Sequence, residues 1–355
     1  MNEDRTNRVV LATTLLTWYD KSGRHLPWRV KGSRHPNAYH VWLSEIMLQQ
    51  TTVATVKSYF EKFVTKWPTL AAFAAAPLDD ILHAWQGLGY YARARNMVKC
   101  AQVVVRDYQG KFPETAIELE RLPGIGPYTA AALASIAFDD QVTPVDGNVI
   151  RVLSRVFAIQ TPIPQSIKEI TALAKTLTPP TRTGDFAQAL MDLGATVCTP
   201  QKPSCLICPW QQFCQGFQQG VAEDLPRRLP KAIKPYRYAV AFIISNKDGE
   251  FLFNRRPETG LLGGMMEIPT TPWQSEPWHS LKEAYALSPL PCLWENDIRK
   301  TFHGFTHFNF DITVLRGHFD NTELLTSLLP SMRWVKSENF SKLALPTVMK
   351  KILKA

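Results

Sequence analysis

The hydrophobic period of this chain changes once, close to residue 224, and that change limits the fold more than any other feature. Before it, apolar residues repeat as they do on helices. Within 53–67 they fall at offsets 0, 3, 7, 10, 11 and 14, which is one helical face, and Pro68 follows. After it, the apolar runs are short and rich in β-branched and aromatic residues. A mostly helical region followed by a sheet-containing region is therefore predicted.

The same patterns place the individual elements. Helices are predicted between proline and glycine breakers at 92–108, 128–138, 149–157 and 186–193. Strands are predicted at 238–244, 251–253 and 308–315, with a hairpin turn at 246–249 and a closing helix at 347–353. We expect a multidomain chain, with a mostly α region over 1–224, a basic proline-rich linker over 225–237 and an α+β domain over 238–355.

Composition narrows the class of protein. Hydrophobic residues make up 45% and charged residues 20%, which excludes collagen, coiled coil and general disorder. Lys and Arg total 40 against 31 Asp and Glu, and this net charge of +9 favours a polyanion such as nucleic acid, although an ordinary basic enzyme is also compatible with it. No apolar run approaches the ~20 residues of a membrane helix, and the first twenty residues lack a secretory pattern. We expect a soluble cytoplasmic protein without a membrane partner.

Four of the six cysteines form a compact ladder, Cys198-x6-Cys205-x2-Cys208-x5-Cys214, without an accompanying histidine. Tetrahedral sulfur ligation suits zinc or an iron–sulfur cluster. Structural zinc sites usually present two close pairs of cysteines, whereas this ladder has a single short spacing, so the pattern favours a cubane cluster. Four unligated buried cysteines are the remaining alternative.

A second motif runs from Leu122 to Tyr128 between two predicted helices and contains Gly124 and Gly126. We expect both glycines to adopt positive φ in a tight turn, and the exposed amides with the next helix N-terminus to form a phosphate seat. An ordinary helix–helix turn has similar glycines. The flanking helices and the basic chain favour a DNA-binding helix-hairpin-helix.

Two acids complete the chemistry. Asp146 stands at the start of a predicted helix, where free amides and the helix dipole stabilise a carboxylate, and a simple helix cap is its ordinary role. Glu45 lies in the apolar stretch 41–48, so burial should raise its pKa. Cleavage of a glycosidic bond needs such a pair, because one acid protonates the leaving group while an anion stabilises the sugar cation.

With these motifs in place, the chain resembles the adenine DNA glycosylases (the MutY family) of the helix-hairpin-helix glycosylase superfamily along nearly its whole length. The matching stretches are the hairpin, the cysteine ladder, Leu26–Arg29, Trp42–Thr51, Gly87–Arg95, Asp146–Val149 and Met191–Ala195.

The resemblance implies a six-helix domain over about 30–140, a 4Fe-4S cluster domain from 1–29 and about 141–224, and a C-terminal Nudix-like domain that recognises 8-oxoguanine. It also implies the partner, double-stranded DNA in which adenine is mispaired with 8-oxoguanine or guanine. We expect a monomer, associated with the nucleoid through DNA.

The resemblance also implies roles for individual residues. Glu45 would protonate adenine and then activate water, Asp146 would stabilise the sugar cation, and Asn148 would support Asp146. Gln50 and Tyr90 would fill the gap left by the flipped adenine. The adenine pocket would comprise Arg24, Leu26, Trp28, Arg29 and Gln188, and the 8-oxoguanine contact would come from Phe305, Thr306 and His307.

Departures from related patterns refine the activity. A lysine that attacks the sugar in endonuclease III-like enzymes is replaced here by Tyr128, and a lysine that follows the catalytic aspartate in some adenine glycosylases is replaced by Ile150. A neutral phenol is a poor substitute for an amine, so we expect base excision without strand cleavage. Thr306 replaces the family's serine and retains a hydroxyl. The stretch 260–267 is not followed by the acidic cluster of Nudix hydrolases, so pyrophosphate hydrolysis is not expected.

Two other functions remain open from the sequence. One is an endonuclease III-like glycosylase and lyase acting on oxidised pyrimidines. The other is a non-catalytic iron–sulfur protein that only binds mismatches. The first is disfavoured because Tyr128 stands in place of the lysine. The second is disfavoured because both Glu45 and Asp146 are present.

Overall fold

A computed structural model describes residues 2–30, 36–230, 233–320 and 330–355, with side chains from residue 8 onward. The chain divides into two compact units. The first unit contains Met1–Ala76 and Asn96–Pro230, and the second contains Pro77–Arg95 and Lys231–Ala355. Each unit has its own hydrophobic core.

Helices form in the regions where the apolar period predicted them, and several shorter helices occur in addition. They are α1 (Asn2–Ser22), α2 (Ala38–Leu48), α3 (Val53–Lys66), α4 (Leu70–Ala74), α5 (Leu78–Ala84), α6 (Ala92–Asp107), α7 (Ala116–Leu119), α8 (Pro127–Phe138), α9 (Gly147–Val156), α10 (Ile167–Leu177), α11 (Thr183–Thr196), α12 (Gln215–Gln218), α13 (Leu281–Tyr285) and α14 (Thr347–Lys354).

Strands occur only after residue 235 in the described part of the chain. They are β1 (Tyr236–Asn246), β2 (Glu250–Arg255), β3 (Met266–Glu267), β4 (Leu293–Trp294), β5 (Arg299–Gly304), β6 (Asn309–Phe319) and β7 (Met332–Lys336). The prediction of a helical region followed by an α+β region is therefore confirmed.

Helix α2 is buried along nearly its whole length in the first unit. Asn37 caps its N-terminus by accepting a hydrogen bond from the Tyr39 backbone N–H. Trp42 is fully buried and packs its ring 5.8 Å from that of Phe73 and 5.5 Å from that of Phe112. Aromatic packing of this kind holds a helix in one position, so any polar side chain on α2 is held rigidly and largely out of water.

A second core in the first unit joins α1 to α9, α10 and α11 through buried aliphatic residues such as Leu15, Leu153 and Leu190. Trp210 belongs to the same core and donates a hydrogen bond from its indole Nε1 to the Leu11 carbonyl at 2.9 Å. The loop that carries the cysteines is thereby packed on the N-terminal helix and on α9.

The second unit is built on one mixed sheet in the order β3-β2-β1-β6-β4, with β5 pairing to β6 and β7 to β2. Strand β1 pairs in parallel with β6 and antiparallel with β2, and it is buried on both faces over 239–244. Alternate residues serve the two faces, because Ala241 and Ile243 join one core while Phe242 and Ile244 join the other. The predicted turn at 246–249 connects β1 and β2, with Gly249 at φ +71°.

Residues 77–95 lie in the second unit, although the sequence alone gave no reason to separate them from the surrounding helical region. Asp79 forms an ion pair with Arg255 at 2.7 Å, and Gln86 donates a hydrogen bond to the Leu343 carbonyl at 2.7 Å. The buried Arg95 donates to the Gly263 carbonyl. These long-range contacts explain the grouping.

The beginning of the predicted linker runs beside Ile163, whose backbone N–H donates to the Arg227 carbonyl at 2.9 Å. Residues 231 and 232 of that linker lie outside the described residues. Among the helices that the structure describes, none is both long and apolar enough to cross a membrane.

Candidate functional site

A cavity of about 410 Å³ opens in the first unit between α2, α8, α11 and the chain before α9. Most of the side chains singled out from the sequence line it, namely Arg24, Leu26, Trp28, Arg29, Glu45, Gln50, Tyr128, Asp146, Asn148 and Gln188. We call it the carboxylate cavity. Five separate stretches of sequence meet here, as the prediction of one site required.

Glu45 projects from the buried helix α2 into this cavity and is only 6% exposed. Burial raises its pKa to about 7, and the nearby negative charge of Asp146 acts in the same direction. A hydrogen bond from Tyr128 and the positive charge of Arg29 act in the opposite direction but are outweighed. The expected direction is confirmed, and near neutral pH this carboxyl group is able both to give and to take a proton.

Tyr128 lies on α8, and its phenolic O–H donates to Glu45 Oε2 at 2.9 Å. Burial and the charge of Glu45 raise the pKa of this phenol well above its usual value. The group therefore remains a neutral hydrogen-bond donor and not a nucleophile.

Asp146 caps helix α9, as the sequence predicts. Its Oδ1 accepts the Val149 backbone N–H at 2.7 Å, and its Oδ2 accepts the Asn148 side-chain Nδ2 at 2.7 Å. Both carboxylate oxygens are thus held by donors at a helix N-terminus.

Arg151 holds Asn148 in place, and the sequence analysis did not single it out. Its guanidinium donates to the Asn148 Oδ1 at 2.8 Å, to the Gly194 carbonyl at 2.6 Å and to the Cys198 carbonyl at 2.7 Å. Gly194 permits this closeness, since a Cβ there would lie 2.6 Å from the Asn148 Cβ. The four-residue spacing of Arg151 and Arg155 on α9, which places both on one helical face, was the available signal.

One wall of the carboxylate cavity is basic and aromatic. Arg24 and Arg29 both form ion pairs with the fully buried Asp192. The Arg24 Nη2 lies 2.7 Å from Asp192 Oδ1, and the Arg29 Nη1 lies 2.8 Å from Asp192 Oδ2. Trp28 is buried and meets the Phe60 ring edge-on, with 5.4 Å between ring centroids. Planar cations and an aromatic ring suit a planar heterocycle such as a purine base.

The hairpin between α7 and α8 has one glycine with a conformational requirement. Gly124 has φ +75°, and a Cβ there would lie 2.5 Å from the Asn96 Cβ. Gly126 has φ −93° and is the residue that precedes helix α8, so the expectation of positive φ at this position is wrong. A Cβ at Gly126 would meet nothing within 4 Å, so its exposed backbone and the N-terminus of α8 are open to an anion.

Gln50 and Tyr90 share an unusual backbone conformation. Their φ values of +60° and +47° lie in the left-handed region, which costs energy for residues other than glycine. Both side chains are exposed. Residues held in this region often occur at functional sites, and the roles of Gln50 and Tyr90 stay predictions.

Phe305, Thr306 and His307 form the turn between β5 and β6 in the second unit, outside the carboxylate cavity, and we call them the lesion loop. The Thr306 hydroxyl lies 2.5 Å from the Tyr90 phenol oxygen, and both side chains are exposed. Phe305 is half-buried and packs its ring 4.7 Å from that of Phe308 and 6.0 Å from that of Trp273. The aromatic packing anchors the loop while its polar side chains remain accessible.

All four cysteines of the ladder line a second, apolar cavity of the first unit. Arg155 is buried there and donates to the Cys198 sulfur at 3.3 Å and to the Thr199 carbonyl at 2.7 Å. Zinc would need sulfurs about 2.3 Å from a single centre. No group of three or more His, Cys, Asp or Glu side chains in the described ranges converges tightly enough for one ion. Four sulfurs around a shared cavity fit a larger group such as an iron–sulfur cluster.

In the C-terminal domain, the glutamate that ends the stretch 260–267 is already engaged. Glu267 is buried, forms an ion pair with Arg256 and accepts a hydrogen bond from Asn254 at 3.1 Å. This side chain serves to hold the β2–β3 pair together.

Comparison with protein families matches three stretches of the chain. Residues 43–180 match the HhH-GPD superfamily base excision DNA repair protein, residues 198–214 match the iron–sulfur binding domain of endonuclease III, and residues 240–355 match the NUDIX domain.

Two similar proteins cover most of the chain, and both are named adenine DNA glycosylase. The one from Rattus norvegicus is 35% identical over 96% of this chain and 76% of its own length. The one from Buchnera aphidicola subsp. Acyrthosiphon pisum is 33% identical over 98% of this chain and 97% of its own length. A solved structure of a thermostable thymine-DNA glycosylase covers 60% of this chain and 98% of its own, at 31% identity and a TM-score of 0.54.

Proposed function

The chain belongs to the adenine DNA glycosylase family, and from this premise we propose that it removes adenine opposite 8-oxoguanine or guanine and leaves the DNA strand uncut. It is an N-glycosylase hydrolase of base excision repair. Cys198, Cys205, Cys208 and Cys214 hold its 4Fe-4S cluster, whose ligation contributes folding free energy to the loop that carries it.

One observation supports the reaction above all others: an acid with a pKa near 7 and a carboxylate bound by two donors line the same cavity. Glu45 donates its proton to N7 of an adenine that has been flipped into the carboxylate cavity. The bond between the base and C1′ of the sugar then breaks, and the electron pair leaves with the adenine. Asp146 stabilises the positive charge that develops on the sugar.

Glu45 is then a carboxylate, and it accepts a proton from the water that attacks C1′. The products are free adenine and an abasic site, and Glu45 ends protonated as it began. The hydrogen bond from Tyr128 orients the Glu45 carboxyl group, and Asn148 orients Asp146.

Two residues support a reaction that stops at base removal. Tyr128 is a neutral phenol already engaged with Glu45, and Ile150 offers no amine after the catalytic aspartate. Strand cleavage by β-elimination proceeds through an amine that attacks the sugar, so an endonuclease III-like lyase is disfavoured.

Recognition of the base opposite adenine is assigned to Tyr90 and the lesion loop. The Tyr90 and Thr306 hydroxyls are already within 2.5 Å of each other in the second unit, and their exposed positions allow contact with a base. Gln50 on the first unit, also exposed and in the left-handed region, fills the gap left by the flipped adenine. The exposed hairpin at Gly124 and Gly126 binds a backbone phosphate.

The test uses single-turnover incubation with duplexes that contain A opposite 8-oxoguanine, A opposite guanine, or A opposite thymine as a control. Product is followed on paired gels with and without alkali. We expect cleavage of both mismatched duplexes only after alkali. Strand cutting without alkali would indicate a lyase, and binding without an abasic product would indicate a non-catalytic mismatch protein.

A further inference from the structure

Asp192, on helix α11, is buried completely and binds the guanidinium groups of two arginines at once. Its Oδ2 accepts the Arg24 backbone N–H at 2.8 Å and the Arg29 Nη1 at 2.8 Å. Its Oδ1 accepts the Arg24 Nε at 2.7 Å and the Arg29 Nη2 at 2.9 Å. The carboxylate is therefore saturated with charge-assisted hydrogen bonds, although burial alone opposes its charge.

Asp192 does not line the carboxylate cavity, whereas both arginines do. Arg29 is close enough to Glu45 for its positive charge to favour the Glu45 carboxylate. A cation beside a general acid makes that acid give up its proton early, which would leave no proton for adenine. Asp192 supplies the compensating negative charge behind the arginines.

We infer that Asp192 is a positioning residue of the excision reaction, which fixes Arg24 and Arg29 along the cavity wall and neutralises them so that Glu45 keeps its proton at neutral pH. This inference rests on the proposed role of Glu45 as the acid.

The other charged groups around Glu45 and Asp192 do not change the direction in which Asp192 acts on the pKa of Glu45. Glu45 faces Tyr128 from α8, Asp146 from the start of α9, and Arg29. The hydrogen bonds and charges of Arg29 and Arg24 outweigh burial and hold the pKa of Asp192 below its usual value, and the buried phenol of Tyr19 lies close by. Removal of the Asp192 charge leaves two cations uncompensated, so the pKa of Glu45 should fall.

The test is the pH profile of single-turnover excision in Asp192→Asn, which keeps the shape and one acceptor oxygen. We expect the pH at which excision declines to move down by about one unit. Excision at pH 8 would then be about tenfold slower than in the unaltered protein and nearly equal at pH 5. Asp192→Glu, which retains the charge, should keep the profile at its original pH even if the rate falls.

Asp185→Asn is the matched control, since Asp185 lies on the same helix, pairs with Arg182 near the surface and does not line the carboxylate cavity. Its profile should not move. If Asp192→Asn fails to fold, Arg24→Gln tests the same balance in the other direction. Arg24 is 27% exposed, and its loss leaves Asp192 less neutralised, so excision should persist to higher pH.

A uniform loss of rate at every pH in Asp192→Asn, with the profile unmoved, would overturn the inference and leave Asp192 with a structural role. An unmoved profile in Arg24→Gln would do the same. Failure of the proposed function has a different signature, because Glu45→Gln would then excise adenine at the unaltered rate.

Discussion

The carboxylate cavity and the lesion loop hold their polar groups in opposite ways. In the cavity, Glu45 is 6% exposed, and the Asp146 and Arg29 side chains are held by charge-assisted hydrogen bonds. At the lesion loop, Tyr90 is 49% exposed and the contact with Thr306 joins two neutral hydroxyls. The loop packs on aromatic rings, and the Lys234 ammonium donates to the Phe305 carbonyl at 2.9 Å.

This difference follows from the function proposed for each region. Making and breaking a bond to a sugar needs charges in fixed positions away from water, since electrostatic stabilisation weakens when water can reorganise around the site. Recognition of a base needs groups that remain accessible and exchange one neutral partner for another. Changes in the carboxylate cavity should therefore act on rate, and changes in the lesion loop should act on preference between duplexes.

The largest effect is expected from Glu45→Gln. The amide retains the shape of the side chain but cannot protonate adenine, so single-turnover excision should fall by about 10²–10⁴-fold while mismatch binding persists. Glu169→Gln, an exposed change of the same type on α10, serves as the control. Excision at the unaltered rate in Glu45→Gln would remove this residue from the mechanism.

The next effect is expected from Asp146→Asn. Asparagine caps a helix about as well as aspartate, so α9 should remain intact while the stabilising charge is lost. We expect excision to slow on the order of 10²–10³-fold with little change in melting temperature. If the melting temperature falls and the rate of the folded protein does not, Asp146 is a helix cap only.

A third prediction concerns stability and pH. The pKa of Glu45 is about 7 in the folded chain against an ordinary value of 4.5, so its contribution to stability is complete below about pH 4.5 and is lost as the pH rises through 7. Glu45→Gln avoids burying that charge and should stabilise the protein by roughly 3 kcal/mol at pH 8, with a smaller gain at pH 5. Thermal unfolding at both pH values measures this, and an equal gain at both would contradict it.

The smallest effect is expected at the lesion loop. Tyr90→Phe and Thr306→Val each delete one hydroxyl of the 2.5 Å pair, so each should lower the preference for 8-oxoguanine over guanine by about 1 kcal/mol. The double variant should be little worse than either single one, because they remove the same interaction. Thr259→Val, an exposed change elsewhere in the second unit, is the control. An equal loss on both duplexes would make the loop a general DNA contact.

The long, strongly periodic elements were predictable from sequence, since α6, α8, α9, α11, β1 and β6 lie where the period placed them. The short strands β3 and β4 and the polar strand β5 were not. Each is a strand because a neighbour in the sheet supplies its hydrogen bonds: β5 pairs along its whole length with β6. Tertiary partners decide the conformation of such segments more than their own residues do.

The sequence alone determined where helices end and the sheet begins and the spacing of the cysteine ladder, because each can be recognised from neighbouring residues. The apolar stretch 41–48 indicated only the direction of the Glu45 pKa, to which the distant Asp146 and Tyr128 also contribute. Only the tertiary structure showed that Asp192 binds Arg29 from 163 residues away and that Tyr90 meets Thr306 from 216 residues away. Such contacts have no local pattern. They form because burial of the surrounding apolar surface brings distant segments together, and the polar groups trapped there must then pair with whichever partner lies within reach.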